Sequence, residues 1–263
     1  MGWHTDRNNI ILTAYLVELR HGTDVCKPEN IAEIQRRLRA PRPSLALSED
    51  SLRQEYKEFQ RLNDRTPDEQ LVIKKILLIL EGPQQASFHD SSNYPFTNLA
   101  PLTNGTLANA KPDIYYGAPP HQLHPRVREQ LSDQVIPTRQ GNSPITPNFF
   151  VETKGDNHAY AIASTFQDGR QDIYATHPTR TPSNIDPGAD RQTDYLMTQV
   201  GYYALTGSPE AYQQDVSAYR NSRDLAKEYR DEFIRQANDF PRLLRPCHRP
   251  FSAKCCFVFG QWY

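Results

Sequence analysis

Phe149-Phe150-Val151-Glu152-Thr153-Lys154 is an apolar run that ends in a carboxylate and an ammonium two positions apart. Aromatic and β-branched residues in a run this short read as a strand. Side chains alternate across a strand. Phe149, Val151 and Thr153 therefore face one way, and Phe150, Glu152 and Lys154 the other. Further out, Lys111-Pro112-Asp113 introduces a second short strand, Ile114-Tyr115-Tyr116. Two carboxylates can hold a hard divalent cation, and an ammonium beside them can orient a water and stabilise developing negative charge. Asp113, Glu152 and Lys154 are the candidate catalytic residues, with Asp113 and Glu152 as the candidate metal ligands. Plainer roles stay open. Asp113 after a proline also suits a turn, and Glu152 with Lys154 also suits an exposed cross-strand pair.

Beyond these strands the pattern mixes helix and strand, the α/β class in the looser, α+β sense. Pro28 to Arg39 carries Ile31, Ile34 and Leu38 at helical spacing, and Pro41 and Pro43 stop it. Ser48 caps a second helix with Leu52, Tyr56, Phe59 and Leu62 on one stripe. Thr66-Pro67-Asp68-Glu69 starts a third as a capping box, apolar nearly all round until Gly82-Pro83. A loop with a short strand near Phe96 follows. Pro119 to Leu131 reads as a helix. Gln167-Asp168-Gly169-Arg170 joins two strands, 159–166 and 171–176, as a hairpin. Gln167 and Gln171 beside it read as solvent-exposed. Tyr195 to Thr206 reads as a helix. Ser208-Pro209-Glu210 caps a long last one, with Tyr212, Val216, Tyr219, Tyr229 and Phe233 as its apolar stripe. Its charged residues, Arg220 and Asp224 among them, read as a solvated face.

Composition limits the alternatives. The chain has 263 residues and a net charge of −1, whereas dedicated nucleic-acid binders usually carry a basic excess. Cys26, Cys247, Cys255 and Cys256 form no CxxC pair, which argues against a zinc site and for a reduced intracellular setting, nuclear or cytoplasmic. No run approaches the ~18 apolar residues of a membrane span, so no membrane partner is expected. His121, His124, His158 and His177 are scattered without zinc-protease spacing, and no P-loop, GxGxxG or GxSxG occurs. No small-molecule cofactor is expected.

Several stretches together resemble a fungal family within the PD-(D/E)xK, or restriction-endonuclease-like, nuclease superfamily. They are Arg42-Pro43-Ser44, Pro95-Phe96-Thr97-Asn98-Leu99, Lys111 to Ala118, Pro147 to Gly155, Tyr174-Ala175-Thr176-His177-Pro178 and Ala218 to Asp224. The resemblance implies a small mixed sheet with a restriction-endonuclease-like core between N- and C-terminal helices. It divides the chain into an N-terminal helical extension (1–65), a nuclease-like domain (66–240) and an irregular tail (241–263). It implies Mg²⁺-dependent hydrolysis of DNA or RNA at Asp113, Glu152 and Lys154. Glu69 matches a position where some relatives add a third carboxylate, although its cap role explains it as well. The chain departs from the family after Lys154. Only Gly155-Asp156-Asn157-His158 precedes the next expected strand, too few residues for the parallel crossover of roughly a dozen or more. Either 149–154 and 159–166 are antiparallel neighbours or the first is displaced, and the second core helix is missing. A catalytically inactive relative acting in binding, or a truncated gene model, is therefore the alternative.

Overall fold

The computed structural model describes residues 30–63, 75–83, 85–100, 109–153, 164–167, 170–180 and 193–243. Helices and strands mix along the chain, an α+β protein. Its contacts fall into two compact units. Met1–Gln85 and Phe150–Leu225 form the first, and Ala86–Phe149 and Ala226–Tyr263 the second.

In the first unit, α1 (Ile31–Leu38) and α2 (Glu49–Asn63) form where spacing and caps demand. The Ser51 N–H donates to Ser48 Oγ at 3.3 Å, which satisfies a donor that the first turn leaves open. Ser48→Ala is expected to cost about 1 kcal/mol, read as a lower urea midpoint. Leu38, Leu52, Tyr56 and Phe59 are buried, as the stripes predict. Of the expected third helix, Leu77–Glu81 (α3) is described, and Gly82 ends it with φ +70°. It is not buried all round: Leu77 and Leu80 are covered, but Leu78 is 60% exposed. The start of that helix, with Glu69, lies outside the described residues.

The sheet of this unit runs β3-β4-β5-β6. β3 (Ile145–Thr153) enters it from Phe150 onward. Next come β4 (Ser164–Gln167), β5 (Arg170–Arg180) and β6 (Thr193–Ala204). The Asp-Gly hairpin forms as expected, with Gln167 opposite Arg170. Two expectations fail. β3 and β4 are neighbours but parallel, with Glu152 opposite Thr165 and Thr153 opposite Phe166. The described part of β4 is Ser164–Gln167, and the four residues expected between the strands lie outside the described residues, as do all of 154–163. Residues 195–204 are also strand, not helix, and pair antiparallel with β5 throughout. Period-2 burial marks it: Tyr203 and Leu205 are buried while Tyr202 and Ala204 are exposed.

The last helix, α6 (Pro209–Leu243), starts at the expected cap, where the Ala211 N–H donates to Ser208 Oγ. In the first unit Tyr212, Val216 and Tyr219 are buried, and the Tyr212 ring packs on Phe59 and Tyr56 at 5.2 and 5.9 Å. The expected solvated face is wrong here. Arg220 donates to the Leu80 and Ile79 carbonyls, two of the acceptors that the end of α3 leaves open. Asn221 donates to the Leu38 and Ala40 carbonyls. Arg42 donates to Asn221 and pairs with Asp224 at 2.6 Å. The stretches Arg42-Pro43-Ser44 and Ala218 to Asp224, which carried part of the family resemblance, thus form a polar clasp over two helix ends.

In the second unit, β1 (His89–Ser92) pairs antiparallel with β2 (Ile114–Ala118), and β2 neighbours the first half of β3. The strand expected near Phe96 is displaced to β1. Phe96 is buried outside a strand, with its N–H on the Ala110 carbonyl and its ring edge-on to Tyr115. All of β2 is buried. A Cβ on Gly117 would lie 2.5 Å from the Ile145 carbonyl oxygen, so glycine permits the close approach of β2 and β3. The helix expected over 119–131 is a short 3₁₀ turn at Pro120–Gln122 followed by α4 (Pro125–Gln130), with α5 (Ser132–Val135) after it. Leu123, Val127, Val135 and Ile145 form a core with Ile234 and Ala237 of α6. Phe233, expected on the buried stripe, is 39% exposed. A stripe stepped by sevens from Tyr212 drifts ~20° per heptad around a straight helix, so Ile234 takes the buried position.

Candidate functional site

Asp113 sits in the bend just before β2, in the second unit. It is half-buried, and its backbone carbonyl accepts the Asn93 N–H at 3.2 Å, which ties the bend to the end of β1. Glu152 lies on the part of β3 that belongs to the first unit. It is half-buried, next to Val151 at 0% and with Phe150 on its own face at 7% exposure. Both faces of β3 are covered here, so Glu152 is no freely solvated strand residue. Lys154 and Glu69 lie outside the described residues. Among the described residues, no group of three or more His, Cys, Asp and Glu side chains stands close enough together to hold a metal ion.

The first unit also buries polar groups that sequence reasoning missed. Gln171, expected to be exposed, is fully buried on β5. Asp172 is 4% exposed; its two oxygens accept from Arg170 Nε at 3.0 Å and Gln199 Nε2 at 2.6 Å. The Asp172 carboxylate raises the Arg170 pKa, and the Arg170 guanidinium stacks 5.5 Å from the exposed Tyr202 ring. Asp215 of α6 is 0% exposed, and among the described residues neither of its oxygens has a hydrogen-bond partner. A signal for its burial was present in the sequence. Tyr212, Asp215, Val216 and Tyr219 follow the i, i+3, i+4, i+7 spacing of one helix face.

A cleft of about 290 Å³ opens in the same unit between the segment 45–52, α3 and α6. Leu45, Leu52, Leu78 and Val216 give it apolar walls, and Glu55 and Tyr212 add polar groups. Burial pushes the Tyr212 hydroxyl up to about 12, so it stays a neutral donor. Neither Asp113 nor Glu152 lines the cleft.

No described helix is long and apolar enough to cross a membrane. Comparisons of the chain with protein-family models, with curated proteins and with solved structures found no match.

Proposed function

We propose that this chain is a nuclease-like protein of the PD-(D/E)xK kind, built for metal-dependent hydrolysis of phosphodiester bonds in DNA or RNA. The observation that carries the reading is the Asp113…Glu152-x-Lys154 pattern, supported by the place of Asp113 just before one strand and of Glu152 on another. Asp113 stands at the entry to the fully buried β2, and Glu152 stands on a covered stretch of β3. By residue type, Asp113, Glu152 and Glu69 are oxygen donors of the kind a hard cation takes. Mg²⁺ bound there would lower the pKa of a water and neutralise charge on the phosphate. Lys154 would orient that water and stabilise the negative charge of the pentavalent phosphorus.

The test is nicking of supercoiled plasmid by the purified full chain with Mg²⁺ or Mn²⁺, and cleavage of labelled RNA beside it. Cleavage should need the metal and disappear in Asp113→Ala and Lys154→Ala. Nicking that survives both substitutions would sink the assignment.

One observation favours the second reading, an inactive relative that retains a binding role. In the sequence only residues 154–163 stand between the described strands β3 and β4, where the superfamily pattern has its second core helix. Calorimetric titration with Mn²⁺ separates the two readings. A working site binds it with Asp113 and Glu152 required, and a silent one shows no heat attributable to them.

A further inference from the structure

Asp215 is a carboxylic acid enclosed in the first unit without compensation. Its side chain projects from the buried face of α6, between Tyr212 and Val216, and none of it reaches solvent. Among the described residues, neither Oδ1 nor Oδ2 accepts a hydrogen bond. The titratable groups close enough to feel its charge are Asp172 of β5, Tyr203 of β6 and Tyr212 of its own helix. Arg39, just after α1, is engaged with the Tyr203 hydroxyl and does not compensate the carboxyl. Among the described residues, the charge that acts on Asp215 is the negative one of Asp172.

An ionised carboxylate in such a place loses its hydration and gains nothing in return, whereas the neutral acid loses much less. We infer that Asp215 is a proton-controlled latch: the neutral acid lets the first half of α6 keep its buried face covered within the first unit, and its ionisation loosens that packing. Burial pushes the carboxyl well above the ordinary carboxylate range, and the negative charge of Asp172 adds to the push.

The sign of the pH dependence follows. In the unfolded chain Asp215 titrates near ~3.9. Between that pH and the higher folded value, the native state holds one proton more than the unfolded state. The folding constant then falls tenfold for each unit of rising pH, about 1.4 kcal/mol. Stability from this group is complete below the unfolded pKa, is lost as pH rises to the folded one, and stays level beyond it.

The test compares urea midpoints of the full chain and of Asp215→Asn from pH 4.5 to 9. The amide imitates the shape of the neutral acid and cannot ionise. The ratio of the two folding constants should change tenfold per pH unit, so the gap between the midpoints widens steadily and then levels off. Asp172→Asn should move that levelling to lower pH, because a negative neighbour is gone. Hydrogen exchange corrected for intrinsic rates should show residues 211–223 opening with pH in the wild type, with residues 227–239 as the internal reference and no such trend in Asp215→Asn. A flat difference curve would overturn the inference. So would an Asp215→Asn chain that fails to fold at every pH, since a neutral side chain of the same shape should be tolerated.

Discussion

Asn148→Ala is expected to lower the stability of the second unit by about 3–5 kcal/mol, because it strands a buried guanidinium. Asn148 links β3 to α6 through both ends of its amide. Its Nδ2 donates to the Ala226 carbonyl at 2.6 Å, and its Oδ1 accepts from Arg230 Nη1 at 2.7 Å. Arg230 is 3% exposed, and its Nε has no hydrogen-bond partner among the described residues. Burial lowers its pKa from 12.5 to about 10, still charged at neutral pH. Asn148 therefore accepts a hydrogen bond from a cation that has left water. A hydrogen bond to a charged group contributes roughly 1.5–3 kcal/mol, and leaving such a group unsatisfied adds its desolvation penalty. The measurement is the urea midpoint of the full chain. The double variant Asn148→Ala, Arg230→Met should recover much of the loss, because an apolar side chain of similar length needs no acceptor. A single variant within about 0.5 kcal/mol of wild type, the scatter of ordinary surface changes, would show that the guanidinium is satisfied some other way.

Gly82→Ala should cost the first unit about 2–4 kcal/mol, for two separable reasons. The residue has φ +70° and ψ −163°, a region open almost only to glycine, and occupying it with alanine costs of order 1–3 kcal/mol. A Cβ there would also stand 2.5 Å from Arg220 Nη2 and 2.7 Å from its Cζ. That guanidinium donates to the Leu80 and Ile79 carbonyls at 2.7 and 3.0 Å. Pushed aside, it releases the end of α3 and stays half-buried. A double-mutant cycle with Arg220→Ala separates the terms. With the guanidinium gone, Gly82→Ala should cost only its backbone strain, so the two losses should add to more than the double variant shows. Strict additivity would mean that Arg220 moves freely and backbone strain is the whole effect.

Much of the local structure was legible because it depends on neighbours in sequence. Ser48 and Ser208 each begin a helix, since a hydroxyl can satisfy an open N–H only within its own first turn. The antiparallel pairing of β4 with β5, Gln167 opposite Arg170, is the one that Asp168-Gly169 between two alternating runs signals. The strand that follows Asp113 and the one that carries Glu152 were legible from apolar runs after Pro112 and before Lys154. Other elements were misread where two patterns fit the same letters. Residues 195–204 hold apolar groups at spacings that a helix also permits, and their pairing with β5 decided for strand. Arg220 and Asp224 look like any solvated helix surface until the end of α3 and Arg42 are brought to them.

The sequence by itself determined the α+β class, the starts of α2 and α6, the antiparallel pairing of β4 with β5, and the places of Asp113 just before one strand and Glu152 on another. Each follows from contacts a few residues apart. Only the tertiary structure decided that β3 and β4 run parallel, that Gln171 and Asp215 are buried, and that the arginines of α6 close helix ends and meet Asn148. These depend on which surfaces far apart in the chain come together. A polar side chain has no fixed cost of its own: water, a carbonyl or an apolar wall sets it, and only the assembled fold supplies one of the three.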